Sequence, residues 1–229
     1  MVTSQIIIAL DFPSTQQALD FVEQVDPQDC CLKIGKELFT LGGPNLVKEI
    51  VNKGFKVFLD LKFHDIPNTV ANACHAAADL GIWMLNIHAS GGRKMMETAA
   101  NKLAQLEQPP LLIGVTILTS LSAAEIQEVG FNGSPADNVL RLASLADDCG
   151  LDGVVCSPLE ASAVRTATNS NFKLITPGVR PANAALDDQN RVMTPAKALQ
   201  AGADYLVIGR PITAAPDPMK SLKSIIESI

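Results

Sequence analysis

Eight short apolar segments, each followed by a stretch with helical spacing, predict an α/β chain folded as a single (β/α)8 barrel of the TIM type. Three observations carry this prediction. The segments are apolar runs rather than alternations, the pattern of parallel strands covered on both faces. Eight strand–helix units fit into 229 residues, a length that such barrels commonly occupy as one domain. No Gly/Ser linker, charge block or low-complexity stretch marks a boundary, so residues 1–229 read as one catalytic domain.

The first strand is Gln5–Leu10, ending at Asp11, and Ser14 is suited to cap a helix over Thr15–Gln24. Cys30–Gly35 forms the second strand, with Lys33 near its end, and a helix follows over Pro44–Asn52. Phe55–Leu59 is the apolar body of the third strand and leads into Asp60-Leu61-Lys62-Phe63-His64-Asp65-Ile66-Pro67-Asn68-Thr69. Pro67 can open the next helix, Pro67–Leu80, which Gly81 ends. Trp83–His88 is the fourth strand, and Gly91-Gly92 leads into a helix to Leu106. Leu111–Ile117 is the fifth strand; the helical region after Thr119-Ser120 is interrupted over Gly130–Pro135. Gly153–Cys156, Phe172–Ile175 and Tyr205–Ile208 complete the eight strands. Between the last two, the stretch from Pro177 to Met193 has no helical periodicity, and an irregular segment of that length commonly serves as a lid.

Composition narrows the class. A net charge of −6 disfavours a broad nucleic-acid-binding face but leaves room for a local cation cluster that grips a small anion. The five cysteines, Cys30, Cys31, Cys74, Cys149 and Cys156, have no metal or redox spacing and lie mostly within apolar runs, as reduced core thiols of a cytoplasmic protein would. No apolar run reaches membrane-spanning length, and Met1–Gln5 lacks the basic and apolar regions of a signal peptide.

Chemistry on such a barrel belongs at the C-terminal ends of the strands. Strand alternation points Asp60 and Lys62 the same way, and a buried strand keeps such charges only if they are paired or solvated. A lysine between Asp60 and Asp65 is held protonated; the triplet serves either a salt-bridge cluster closing a strand or catalysis. Asp11 and Lys33, on adjacent strands, extend it to a compensated network Asp11, Lys33, Asp60, Lys62 and Asp65. His88, Ser90, Thr119 and Ser120 also fall at strand ends, with a core-satisfying role the simpler reading for His88. After the eighth strand, Gly209 lets backbone amides approach a ligand and Arg210 offers a fork of donors suited to phosphate. A metal held by Asp60, His64, Asp65 and His88 is disfavoured, because Lys33 and Lys62 already neutralise the carboxylates a divalent ion needs.

The residues Asp60–Thr69, His88-Ala89-Ser90-Gly91-Gly92, Thr176-Pro177-Gly178-Val179-Arg180-Pro181 and Val207-Ile208-Gly209-Arg210-Pro211-Ile212 together resemble the orotidine 5′-monophosphate decarboxylases of the bacterial type, in order and spacing over essentially the whole chain. The resemblance implies a cofactor-free, dimeric barrel that converts orotidine 5′-monophosphate to UMP, the last step of de novo pyrimidine nucleotide synthesis. By that likeness Asp11 and Lys33 hold the ribose hydroxyls, Asp60 sits against the departing carboxylate and Lys62 protonates the ring carbon. Asp65 and Thr69 reach into the partner subunit's site. Thr119, Ser120 and Pro177 meet the pyrimidine, and Arg180, Gln189, Gly209 and Arg210 the phosphate. Two alternatives stand beside it. A metal-dependent sugar-acid phosphate decarboxylase resembles the chain but has an acidic metal ligand where Lys33 stands. A non-catalytic nucleotide-binding protein would have no use for Lys62 beside the ring.

Overall fold

In a computed structural model that describes residues 4–180 and 193–229, eight parallel strands close into a barrel in sequence order. They are β1 (Ile6–Ala9), β2 (Cys31–Gly35), β3 (Val57–Phe63), β4 (Met84–His88), β5 (Leu111–Val115), β6 (Gly153–Val155), β7 (Lys173–Thr176) and β8 (Tyr205–Ile208). Closure is made by β8 on β1, with Leu206, Val207 and Ile208 in register with Ile6, Ile7 and Ile8. The predicted barrel is therefore the observed fold.

The helices on the outside are α1 (Thr15–Val22), α2 (Lys36–Asn52), α3 (Pro67–Ala78), α4 (Arg93–Leu103), α5 (Ala123–Glu128), α6 (Pro135–Asp148), α7 (Ala161–Ala167), α8 (Pro195–Gln200), α9 (Arg210–Thr213) and α10 (Pro218–Glu227). Their starts follow local chemistry. The Ser14 hydroxyl accepts the Gln17 N–H at 3.3 Å, and α5 and α6 each open on a capping box, Ser122 with Glu125 and Ser134 with Asp137. Proline occupies the first turn of α3, α6, α8, α9 and α10, where its missing N–H costs no hydrogen bond.

Two elements differ from expectation. The second helix begins at Lys36 rather than Pro44. Its early turns are hidden in the sequence by Gly42-Gly43-Pro44, and the helix bends there, with Gly43 at φ 59° and ψ −161°. The third strand runs on through the charged motif to Phe63, and its pairing with β4 slips between Leu59↔Leu85 and Phe63↔Ile87. Over that interval β3 advances four residues while β4 advances two, so β3 bulges at Asp60–Lys62.

Strand alternation divides the core in two. Ile6, Ile8, Leu32, Ile34, Leu59 and Leu85 face outward and pack under the helices. Ile7, Cys31, Phe58, Met84, Ile113 and Ile175 face inward and fill the barrel as a separate cluster. All five cysteines are buried and free. No helix among the described residues is long and apolar enough to cross a membrane.

The tightest backbone approach is at Gly153, where an added Cβ would lie 2.2 Å from the carbonyl oxygen of Lys173 on the neighbouring strand. Gly153→Ala should force β6 and β7 apart and destabilise the protein by about 1–3 kcal/mol. Urea denaturation checks this: an unchanged midpoint would show that the two strands have room to spare.

Candidate active site

The inward cluster is the floor of the site. Two residues further along each strand the same face comes up again, carrying Lys33 above Cys31, Asp60 above Phe58, Asn86 above Met84 and Val115 above Ile113. These four, with Lys62, Ile117, Thr119 and Pro177, line a cavity of about 200 Å³ at the C-terminal mouth of the barrel. One wall is charged. The other is apolar, made of Val115, Ile117, Val155, Ile175 and Val207.

The charged wall is a chain of contacts centred on Asp60, a residue only 9% exposed. Lys62 Nζ lies 2.5 Å from Asp60 Oδ1, and Lys33 Nζ lies 3.4 Å from Oδ2 and 3.2 Å from Asp11 Oδ1. Asn86 Nδ2 donates to Asp60 Oδ1 at 2.7 Å. Burial pushes the Asp60 carboxyl pKa up, but Lys33 and Lys62, with hydrogen bonds from Lys62 and Asn86, outweigh it and hold the group below its usual range. Asp60 is thus an anion in the cavity wall, with a cation on either side.

Lys62 is placed by strain as well as by charge. Its φ is +52°, and among the described residues no other non-glycine has a positive φ. That conformation costs an L-residue roughly 1–2 kcal/mol, so the surrounding contacts must enforce it. Its N–H, displaced from the ladder by the bulge, donates to Asn86 Oδ1 at 2.7 Å.

A second cavity of about 430 Å³ adjoins the first and shares Lys33, Pro177 and Val207 with it. Asp11, Gly178, Arg180, Gly209 and Arg210 line it. Arg180 is 7% exposed, and its N–H donates to the Met193 carbonyl at 3.0 Å beside a Val179↔Met193 bridge. Gly209 caps α9; a Cβ there would come no closer to the chain than 3.6 Å, at Ala9, so the steric case for glycine lies only toward the cavity. Two guanidinium groups and a lysine make this cavity suited to an anion.

The structure brings together Asp11, Lys33, Asp60 and Lys62 as anticipated, and seats Thr119 and Pro177 at the first cavity and Arg180, Gly209 and Arg210 at the second. Ser120 lies exposed on the turn beyond, outside both linings. Gln189 lies outside the described residues. The five-membered network needs correction. Asp65 is exposed just before α3, where its Oδ1 accepts the Ile66 N–H at 2.6 Å, and it enters none of the ion pairs among the described residues. Within one chain the network is therefore four-membered, because the bulged strand turns away into α3 before Asp65 can face Lys62. Thr69 is likewise exposed, on α3. Among the described residues no three His, Cys, Asp or Glu side chains are grouped to hold a metal ion.

Asn86 and the apolar wall were missed from the sequence. Alternation upward from Met84 was the available signal, since it places Asn86 in the same layer as Lys33 and Asp60.

A closed parallel barrel with a lysine beside a buried carboxylate and an arginine-lined cavity at its mouth defines an enzyme of the (β/α)8 class. Over residues 4–225 the sequence matches the orotidine 5′-phosphate decarboxylase / HUMPS family, and the chain belongs to that family. A protein of Nitrosococcus oceani named orotidine 5′-phosphate decarboxylase is 60% identical over 225 residues, covering 98% of this chain and 97% of that protein. One of the same name from Hydrogenovibrio crunogenus is 58% identical over 225 residues, covering 98% and 95%. The crystal structure of orotidine 5′-phosphate decarboxylase from Lactobacillus acidophilus matches with a TM-score of 0.88 at 38% identity, covering 98% of each chain. That from Pyrococcus horikoshii, at 22% identity and a TM-score of 0.77, covers 98% of each chain and shares the fold.

His88, at the end of β4, packs against His64 with ring centroids 5.5 Å apart and the rings tilted by 35°. Burial, then the positive field of His64, Lys36 and Lys62, lowers its pKa from 6.5 to about 4. A histidine with a depressed folded-state pKa stabilises the fold fully above 6.5, and that stability is lost as pH falls toward 4, because the unfolded chain takes up the proton first. His88→Gln should therefore flatten the acid side of the stability profile across that window. Urea midpoints measured through it check this; equal slopes for both proteins would show that His88 is not neutralised by its surroundings.

Proposed function

We propose that this chain is a cofactor-free decarboxylase that converts orotidine 5′-monophosphate to UMP in pyrimidine synthesis, acting as a single-domain, cytoplasmic homodimer without nucleic-acid or membrane partners. The observation that carries the reading is the Asp11–Lys33–Asp60–Lys62 chain of contacts set between an apolar cavity and an arginine-lined one. A pyrimidine fits the first, a 5′-phosphate the second, and the ribose lies over Asp11 and Lys33 between them. Thr119 and Pro177 meet the base and Arg180, Gly209 and Arg210 the phosphate; Ser120 and Gln189 complete these groups by likeness to the family.

The chemistry follows from where charge develops. Breaking the bond between the ring carbon and its carboxylate leaves the electron pair on a vinylic carbon, with no ring position able to delocalise it. A cation must stand there, and the Lys62 ammonium supplies both the charge and, once carbon dioxide has left, the proton. The neutral amine then recovers a proton from solvent. Asp60 aims Lys62 through their ion pair, and by likeness to the family its own negative charge lies near the substrate carboxylate. One charge pair at about 4 Å and an effective dielectric near 20 gives ~4 kcal/mol, whereas enzymes lower barriers by about 8–23 kcal/mol. The remainder is drawn from phosphate and ribose binding, which holds the base against Lys62.

Decarboxylation removes the substrate carboxylate conjugated to the ring, so absorbance should fall when orotidine 5′-monophosphate is mixed with the protein in EDTA. Activity that disappears on chelation and returns with magnesium would move the reading to a metal-dependent sugar-acid phosphate decarboxylase. Lys62→Ala should abolish turnover while UMP still binds, since the second cavity is untouched. Retention of a substantial fraction of turnover would remove Lys62 from the proton-transfer step.

The exposed position of Asp65 and Thr69 supports their service in a neighbouring subunit's site. Mixing inactive Lys62→Ala and Asp65→Ala proteins should then restore activity, because in a heterodimer one site collects both changes and the other neither. With random exchange, recovery should approach about a quarter of the wild-type rate. No recovery despite demonstrated exchange would place Asp65 in its own chain's site.

A further inference from the structure

We infer that Asn86 is the positioning residue for Lys62: one buried side-chain amide fixes both ends of that lysine, its backbone directly and its ammonium through Asp60. Asn86 is 1% exposed and stands on β4 opposite the bulge. Where β3 slips out of register, the Lys62 N–H has no strand carbonyl to meet, and Asn86 Oδ1 takes it at 2.7 Å. The same side chain donates from Nδ2 to Asp60 Oδ1 at 2.7 Å, the oxygen that also receives Lys62 Nζ at 2.5 Å. The two contacts settle the amide's orientation, since the reverse would set its NH2 against the Lys62 N–H.

The amide is the right group for both tasks at once. An acceptor alone would hold the left-handed backbone of Lys62 but leave Asp60 Oδ1 with the Lys62 ammonium as its single donor. A donor alone would orient Asp60 and leave the Lys62 N–H unsatisfied inside the barrel. An apolar residue of the same size would fill the space and do neither. Lys33 cannot substitute, because it lies on the other oxygen, Oδ2, at 3.4 Å. The direction in which Lys62 presents its proton therefore depends on a residue that offers no charge and no proton of its own.

The kinetic arms of the test rest on the decarboxylase reading; the spectroscopic arm does not. Asn86→Leu keeps the branching and heavy-atom count of the side chain and loses both bonds, and should lower kcat about 10–100-fold while UMP affinity stays within about threefold, since hydrogen bonds to a charged group are lost but the phosphate site is intact. Asn86→Asp retains the acceptor and regains the donor only when protonated. Its kcat relative to wild type should rise as pH is lowered from about 8 to about 5, because a carboxyl beside the Asp60 carboxylate holds its proton above the usual range. The ionisable groups around that position are Lys33 on β2, Asp60 and Lys62 on β3, and His88 on β4, with Asp11 beyond Lys33 and His64 beyond His88; β5 presents none. All of these are present in wild type as well, so the ratio isolates what the change at position 86 does among them. Independently of substrate, carbon-13 titration of the Asp60 carboxyl should show its pKa higher in Asn86→Leu than in wild type. If wild type releases no carbon dioxide from orotidine 5′-monophosphate, the decarboxylase reading fails and the titration alone decides. A folded Asn86→Leu protein with kcat within about twofold of wild type, a flat Asn86→Asp ratio, or an unmoved Asp60 titration overturns the assignment. So does failure of both variants to fold, which would make Asn86 a residue of the fold instead.

Discussion

A carboxylate that stays ionised with 9% of its surface open to water must be surrounded by donors, and Asp60 takes them from three consecutive strands. Lys33 comes from β2, Lys62 from its own strand and Asn86 from β4. No local segment could supply this set, so the buried anion requires the parallel order β2-β3-β4 and its register. The dependence runs the other way too. Removing one partner from a buried pair typically costs 3–5 kcal/mol, whereas replacing a whole buried network with apolar side chains is often neutral or stabilising. A chain selected for stability alone would have little reason to keep four charges at the mouth of a barrel whose floor is Phe58, Met84 and Ile113.

The bulge at Asp60–Lys62 shows how the site is fitted into an otherwise regular sheet. An unbroken β3 would continue its ladder to β4 and would put Lys62 in extended backbone. Two extra residues on β3 break that ladder, push Lys62 to a positive φ and free its N–H for a side chain to accept. Backbone strain, a lost ladder bond and a buried polar side chain thus occur within a few ångströms of each other. Each is unfavourable to the fold in isolation, and they coincide where the charge is concentrated.

The barrel was legible because its strands are covered on both sides, which writes Ile6-Ile7-Ile8, Leu111-Leu112-Ile113 and Leu206-Val207-Ile208 as plain apolar runs. The Asp11–Lys33–Asp60–Lys62 set was legible for a related reason, since a charge at the end of such a run has few places to go. Alternation places Asn86 in the layer of Lys33 and Asp60, but its bond to the Lys62 N–H was not legible, because it depends on the slip in β3 pairing, a non-local event with no period in either strand. The early turns of α2 were obscured by three consecutive helix-breaking residues that the structure accommodates as a bend. Counting Asp65 with its neighbours in the motif hides that the turn into α3 carries it outward, away from the ion pairs of its own chain.

The two-residue offset between the floor of the barrel and the lining above it has a consequence for how such a protein can change. Ile113 and Val115, or Met84 and Asn86, share a strand and a face but occupy different depths, the lower packed in the interior and the upper against the cavity. Substitutions in the upper layer reshape what the mouth will accept while the lower layer keeps the strands together. The molecule is therefore stratified along its axis, and a lineage can try new substrates in the top stratum without renegotiating the foundation that makes any of them possible.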